Sequence, residues 1–196
     1  MRFELARTDL DRFDLTKRRI KGAWRTGSKI LFKIDRKTKE VLSLMKLIKE
    51  DLQGPEIAAL LNEHLREMEK HSPPESIHAL DLNKLRQPNI HFWSLWDEER
   101  IVGCGALKLL DARHAEIKSM RVTYEYRGKG IAKTILSHLI EAAASKGVEK
   151  LSLETGSMAA FEPARNLYLS FGFEFCEPFD SYIEDENSVF MTKQIN

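Results

Sequence analysis

From residue 45 onward, the apolar positions of this chain alternate between two spacings: every second residue, and every third or fourth. The first spacing marks half-buried strands and the second marks amphipathic helices. Met45-Lys46-Leu47-Ile48-Lys49 begins a strand-like run. Gly54-Pro55-Glu56 opens a helix, because proline's fixed φ suits a first turn, and Ile57, Leu60, Leu61, Leu65 and Met68 form its apolar stripe. Ser72-Pro73-Pro74 ends it, and a short helical piece is expected from Glu75 to Leu85. Ile90 to Trp96 and Ile101 to Leu110 read as a β-hairpin around the charged turn Asp97-Glu98-Glu99-Arg100. An extended run from Ile117 to Tyr124 leads to a helix from Gly130. Its stripe is Ile131, Ile135, Leu136, Leu139 and Ile140, and Gly147 stops it. A strand at 149–154, a helix at about 160–171, and strands near 173–177 and 188–193 complete an α/β (α+β) order, β-α-α-β-β-β-α-β-α-β-β.

The junction between the 117–124 run and the next helix carries Arg127-Gly128-Lys129-Gly130-Ile131-Ala132. A strand, a glycine-bearing loop and a helix start gather backbone N–H groups around one point, and the helix dipole favours an anion there. Gly128 and Gly130 carry no Cβ to keep that anion away. A Walker-type loop ending at Lys133-Thr134 would need glycine at 127 and 132, where Arg127 and Ala132 stand. A dinucleotide fingerprint from Gly128 would need glycine or alanine at Lys133, and one from Gly103-Cys104-Gly105 fails likewise at Lys108. The pattern Arg/Gln-x-x-Gly-x-Gly/Ala does fit, through Arg127, Gly130 and Ala132.

That pattern resembles the acetyl-coenzyme A loop of the GNAT superfamily of N-acetyltransferases. Leu167-Tyr168-Leu169-Ser170-Phe171-Gly172-Phe173 is similar to the Leu-Tyr-x-x-x-Gly-Phe run that closes the last helix of that family. The resemblance covers roughly residues 45 to 193 and implies a GNAT-like mixed, mostly antiparallel sheet flanked by helices. Ser-Pro-Pro-Glu-Ser-Ile-His at 72–78 and Phe-Glu-Pro-Ala-Arg at 161–165 resemble a small group of uncharacterised bacterial members.

Charge changes the picture at the N-terminus. Residues 1–44 hold thirteen Lys/Arg against six Asp/Glu, including Lys17-Arg18-Arg19 and Arg36-Lys37, while the rest is net acidic by six. This segment is expected to be an extension outside the folded domain, with 45–196 as the domain and Met45 as its functional start. The other reading is a basic arm for nucleic acid or membrane. The chain has two cysteines, Cys104 and Cys176, without metal-ligand spacing. Nothing in them suggests a disulfide framework, so the expected compartment is the reducing cytoplasm, and no apolar run reaches the roughly 18 residues a membrane helix needs.

The resemblance implies acetyl-CoA as co-substrate and no metal. Its pantetheine would run along the backbone of Met120, Arg121 and Val122. Its diphosphate would meet the loop Arg127, Gly128, Lys129, Gly130, Ile131 and Ala132, with Lys133 and Thr134 in the first helical turn. Tyr168 is the implied general acid toward the thiolate, and packing between helix and sheet is the other role open to it. Many family members carry asparagine seven residues before that tyrosine; here it is Phe161. A protonated alkyl amine, with a pKa of about 10, needs a base. Glu116, eleven residues before Arg127, stands at the register of the base of histone-type members, and Glu154 is its rival. Strand alternation puts Glu116, Lys118 and Met120 on one face and Ile117, Ser119 and Arg121 on the other.

Pro73, Pro74, Glu75, Ser76 and His78 are expected to contribute to the acceptor pocket, with Ser157 and Met158 facing them. Ser157 lacks a nucleophile-elbow motif. The expected partner is a small amine, with no membrane partner and no nucleic acid beyond what the 1–44 segment would hold. A homodimer is compatible with this order. The alternatives are a non-catalytic acyl-CoA-binding module and a protein or peptide acetyltransferase.

Overall fold

Two units divide the chain, Met1–Arg36 and Lys37–Asn196. The computed structural model describes residues 45–76 and 82–195, apart from the Glu75 side chain, and only the backbone of 18–20, 23–26 and 29–32. In the first unit, β1 (Arg18–Ile20), β2 (Ala23–Thr26) and β3 (Lys29–Phe32) form an antiparallel sheet in the order β1-β2-β3. The apolar and polar pattern did not predict these strands. Whether the basic side chains of 1–44 form an arm lies outside the described residues, as does His78.

The second unit has the expected order of elements. β4 (Lys46–Lys49) is followed by α1 (Pro55–Glu69) and α2 (Leu82–Leu85). Next come β5 (Ile90–Asp97), β6 (Arg100–Leu109) and β7 (His114–Val122). Then α3 (Ile131–Ser145), β8 (Lys150–Gly156), α4 (Glu162–Ser170), β9 (Glu174–Cys176) and β10 (Ser188–Gln194) complete it. The strands lie in the order β4-β5-β6-β7-β8-β10-β9, with β7 and β8 parallel and the other neighbours antiparallel.

Two local expectations change in detail. Of the helical piece expected over 75–85, a 3-10 turn at Pro74–Ser76 and the four-residue α2 are seen, and 77–81 lie outside the described residues. The extended run placed at 117–124 is a strand that starts earlier and stops at Val122, after which Tyr124–Tyr126 forms a 3-10 turn.

Each face of the sheet has its own core. The α1 stripe puts Ile57, Leu60 and Leu61 against Phe92, Cys104 and Ala106, with Leu85 of α2 beside them. On the other face, Ile131, Ile135, Leu136 and Leu139 of α3 cover Trp93, Leu107, Ile117, Leu151 and Leu153. These four α3 residues are at most 1% exposed, and full burial of such a side chain contributes about 1.5–3 kcal/mol. The approach of α3 explains Gly103 and Gly105 inside a strand. A Cβ there would lie 2.8 Å or 2.9 Å from carbons of Ile135, so the helix sits directly on backbone.

The ladder between β7 and β8 runs from His114↔Lys150 to Ile117↔Leu153, although β7 continues to Val122 and β8 to Gly156. The two strands part at the centre of the sheet. Just there β7 is bulged: Cys104 pairs with Arg121 and Ala106 with Lys118, so Gly105 faces both Ser119 and Met120. Ser119 takes φ 53°, and its carbonyl accepts from Cys104 Sγ at 3.2 Å. The simple alternation expected for this strand therefore fails after Lys118. Met120 turns to the α3 core beside Ile117, whereas Arg121 turns to α1, the face that Glu116 and Lys118 share.

Candidate functional site

A cleft of about 830 Å³ opens where β7 and β8 part. Its floor includes Met120, Arg121 and Val122. One wall is the C-terminal half of α1 (His64, Glu67, Met68), with His71 after it, and the other is α4 with Phe161 before it. The loop Arg127–Gly130 and the first turn of α3 close one end.

Gly128 and Gly130 take φ 76° and 86°, a region that side-chain-bearing residues rarely adopt. Gly130 is the N-cap of α3 and offers no side-chain cap. The N–H groups of a first helical turn have no intrahelical acceptor, and this turn lies on the cleft. A Cβ on Gly128 would meet nothing within 4 Å, so space is open beside the loop. Neighbouring contacts hold the loop in place. Tyr126 donates to Asp97 at 2.7 Å, and the Lys129 ammonium lies 4.5 Å from the Tyr126 ring centroid. A geometry of left-handed glycines, a helix start and open space suits a phosphate group.

Arg121 and Arg127 both reach α1. The Arg121 guanidinium donates to Glu63 and Glu67, each at 2.6 Å, and Arg127 donates to both oxygens of Glu67 at 2.6 and 2.9 Å. Partial burial pushes the Glu67 carboxyl up, but the hydrogen bonds and charges of the two guanidinium groups outweigh it and hold its pKa at about 2. His64 Nδ1 lies 3.4 Å from Arg121 Nη1, and since a guanidinium only donates, Nδ1 is the acceptor. Burial, reinforced by the Arg121 charge, lowers the His64 pKa to about 4.

Tyr168 lines the cleft at 6% exposure, its ring edge-to-face with Phe173. Burial and then the Glu154 charge raise its hydroxyl well above the usual range, so it stays protonated. Glu154, near the end of β8, accepts from Ser188 Oγ at 2.9 Å. Phe161 occupies the position where asparagine is common. Its ring packs so closely on Gly156 that a Cβ there would lie 2.4 Å from it, and it meets His71 edge-on. Arg165 donates to the carbonyls of Gly156 and Met158 at 2.6 and 3.0 Å. The Phe161–Arg165 motif thus fastens the turn after β8.

Glu116 lies elsewhere, 1% exposed and away from the cleft walls. Its Oε1 accepts from Lys118 Nζ at 2.9 Å and from the Tyr182 hydroxyl at 2.6 Å, and Oε2 faces Lys108 Nζ at 3.9 Å. Burial and the Glu116 charge push the Tyr182 hydroxyl far up, with Glu154 adding to the effect. Pro74, Ser76, Glu154, Ser157, Lys129 and Thr134 are not among the cleft's wall residues. Ser157 donates to the Glu186 carbonyl at 2.7 Å, and Thr134 Oγ1 to that of Gly130 at 3.3 Å. Burial pushes the Cys104 thiol to about 12 despite the Arg121 charge, which leaves no thiolate for chemistry. Among the described residues, no cluster of metal-ligating side chains occurs and no helix is long and apolar enough to cross a membrane.

Sequence reasoning missed Glu63, His64, Glu67 and His71 on the α1 side, and Tyr182 with Asp180 over the sheet. Glu63 and Glu67 did carry a signal. Their spacing of four puts two acids on one helical face.

Residues 56–173 match the family model described as Acetyltransferase (GNAT) family. The chain is 61% identical to the uncharacterized N-acetyltransferase YsnE of Bacillus subtilis (strain 168), over 74% of this chain and 97% of that protein. It is 47% identical to the uncharacterized N-acetyltransferase YedL of Escherichia coli (strain K12), over 73% and 90%. Its fold is similar to that of a GNAT family acetyltransferase from Elizabethkingia anophelis with acetyl-CoA bound. The TM-score is 0.56 at 17% identity, over 78% of this chain and 99% of that one.

Proposed function

Because the chain belongs to the acetyltransferase (GNAT) family, we propose that it transfers an acetyl group from acetyl-CoA to the amine of a small molecule by direct attack. The observation that carries this reading is the pair of left-handed glycines at the start of α3, opening on a cleft where β7 and β8 part. Acetyl-CoA supplies the thioester whose C–S bond breaks as the new C–N bond forms. The loop Arg127–Ala132 and the first turn of α3 hold the diphosphate through backbone N–H groups and the helix dipole. The parted backbone of Met120, Arg121 and Val122 takes the pantetheine.

Glu154 accepts a proton from the incoming ammonium. It is preferred over Glu116 because its charge acts on Tyr168, which lines the cleft, whereas Glu116 is engaged with Lys118 and Tyr182. Tyr168, kept protonated by burial, gives its proton to the departing thiolate. The second proton of the nitrogen restores Tyr168 and Glu154 releases the first to solvent, so the balance is acetamide, free thiol and one proton released. His71, Met68 and Phe161 border the route by which the acceptor enters.

Thiol release from acetyl-CoA, measured across monoamines, amino acids, polyamines and N-terminal peptides, tests the activity and sorts small from macromolecular acceptors. Tyr168→Phe should lower kcat by roughly 10²-fold with acetyl-CoA affinity retained. An unchanged kcat with a lower melting temperature would assign Tyr168 to packing alone.

A further inference from the structure

One carboxylate on the rim of the cleft holds two guanidinium groups that differ sharply in freedom. Arg121 has a side chain 5% exposed and is held by Glu63 as well as Glu67. Arg127 is 46% exposed, begins the glycine loop, and has Glu67 as its carboxylate. Burial and a second carboxylate fix Arg121, so any exchange of partners happens at Arg127.

We propose that Glu67 stands in for the coenzyme's diphosphate, occupying Arg127 until the ligand arrives. Binding then exchanges one anion for another at Arg127 and loosens the tie between α1 and the loop. Glu67 is thus a positioning residue that couples the α1 wall to coenzyme binding; the idea rests on reading the loop as a diphosphate site. Three observations support it. Arg127 Nη2 donates to both Glu67 oxygens, at 2.6 and 2.9 Å, charge-assisted bonds of the kind a guanidinium also gives to phosphate oxygens. The Glu67 side chain is 32% exposed, so the pair opens at small cost. With the charge of Glu67 removed, two guanidinium groups would remain beside the loop, and among the described ion pairs Glu63 would be the carboxylate left to them, on Arg121.

Calorimetric titration with CoA, and with pantetheine, which lacks the diphosphate, tests this on the full chain. Glu67→Gln should tighten CoA by roughly three- to tenfold, the scale of one exposed charge-assisted pair, and leave pantetheine unchanged. In an Arg127→Ala background the same change should lose most of that gain. Glu67→Asp, too short to reach both partners, should tighten CoA in the same direction and covers the case in which Glu67→Gln folds poorly. CoA binding no tighter than the parent's in either variant, or a gain that persists undiminished without Arg127, overturns the proposal. A parent protein that does not bind CoA overturns instead the diphosphate reading beneath it.

Discussion

Glu67 and Glu116 are each a carboxylate set between two cations, and they differ mainly in their access to water. Glu67 lies on the rim of the cleft between Arg121 and Arg127, with its side chain 32% exposed. Glu116 lies under the loop that carries Asp180 and Tyr182, between Lys118 and Lys108, at 1%. On the rim, water can replace the exposed Arg127, so that pair is exchangeable and worth little to stability, while the buried Arg121 stays fixed. In the interior nothing can replace a lost partner, so the same pairing becomes structural. Similar charges therefore serve recognition in one place and cohesion in the other.

Neutralising the interior carboxylate should have the largest effect. Glu116→Gln leaves the Lys118 ammonium, 9% exposed, without its counter-charge. It also sets an amide against the Tyr182 hydroxyl that now donates to Oε1. The expected loss is about 3–5 kcal/mol of folding stability, the scale for breaking one half of a buried pair. Glu67→Gln should cost clearly less, because Glu63 still holds Arg121 and Arg127 is exposed. Urea unfolding of both variants checks this, and equal losses would mean that burial does not separate the two sites.

How far these sites were legible in the sequence follows from how each is built. The loop Arg127–Ala132 is consecutive, and its glycines and helix start are local properties, so a short stretch of sequence carried it. The order of strands and helices was legible for the same reason, since periodicity is local. The side-chain partnerships were not. Arg127 meets Glu67 across 60 positions, and Glu116 meets Tyr182 across 66, so only the folded chain brings them together. The bulge at Ser119 was hidden because no residue type there demands φ 53°, yet it reverses which face Met120 and Arg121 take. Gly103 and Gly105 could be read only as strand residues until α3 was seen resting on them.

A second test concerns acid. The pKa of His64 is lowered to about 4 in the fold from 6.5, so the folded protein resists a proton that the unfolded chain accepts. Its contribution is fully present above about 6.5 and is lost as pH falls toward 4. The Glu67 pKa of about 2, lowered from 4.5, adds a loss confined to pH below about 4.5. Unfolding midpoints should hold steady as pH falls from 8 to about 6.5, then decline, and His64→Gln should flatten the decline between 6.5 and 4. A variant that declines as steeply as the parent would show that another group governs this window.

Loss of the exposed Arg127 side chain should matter least. If the loop holds a diphosphate by backbone N–H groups and the α3 dipole, losing the Arg127 side chain leaves those donors in place. Arg127 must also leave Glu67 before it can serve a ligand, so part of its new attraction only replaces an old one. Arg127→Ala should therefore weaken CoA binding only a few-fold, on the scale of an exposed charge pair. The weakening should shrink further at high salt, because screening acts on the exposed side chain more than on the helix start. Calorimetry at two salt concentrations reads both quantities. A loss of a hundredfold or more would place the grip in the guanidinium, and the rim would then resemble the interior, where one charge cannot be spared.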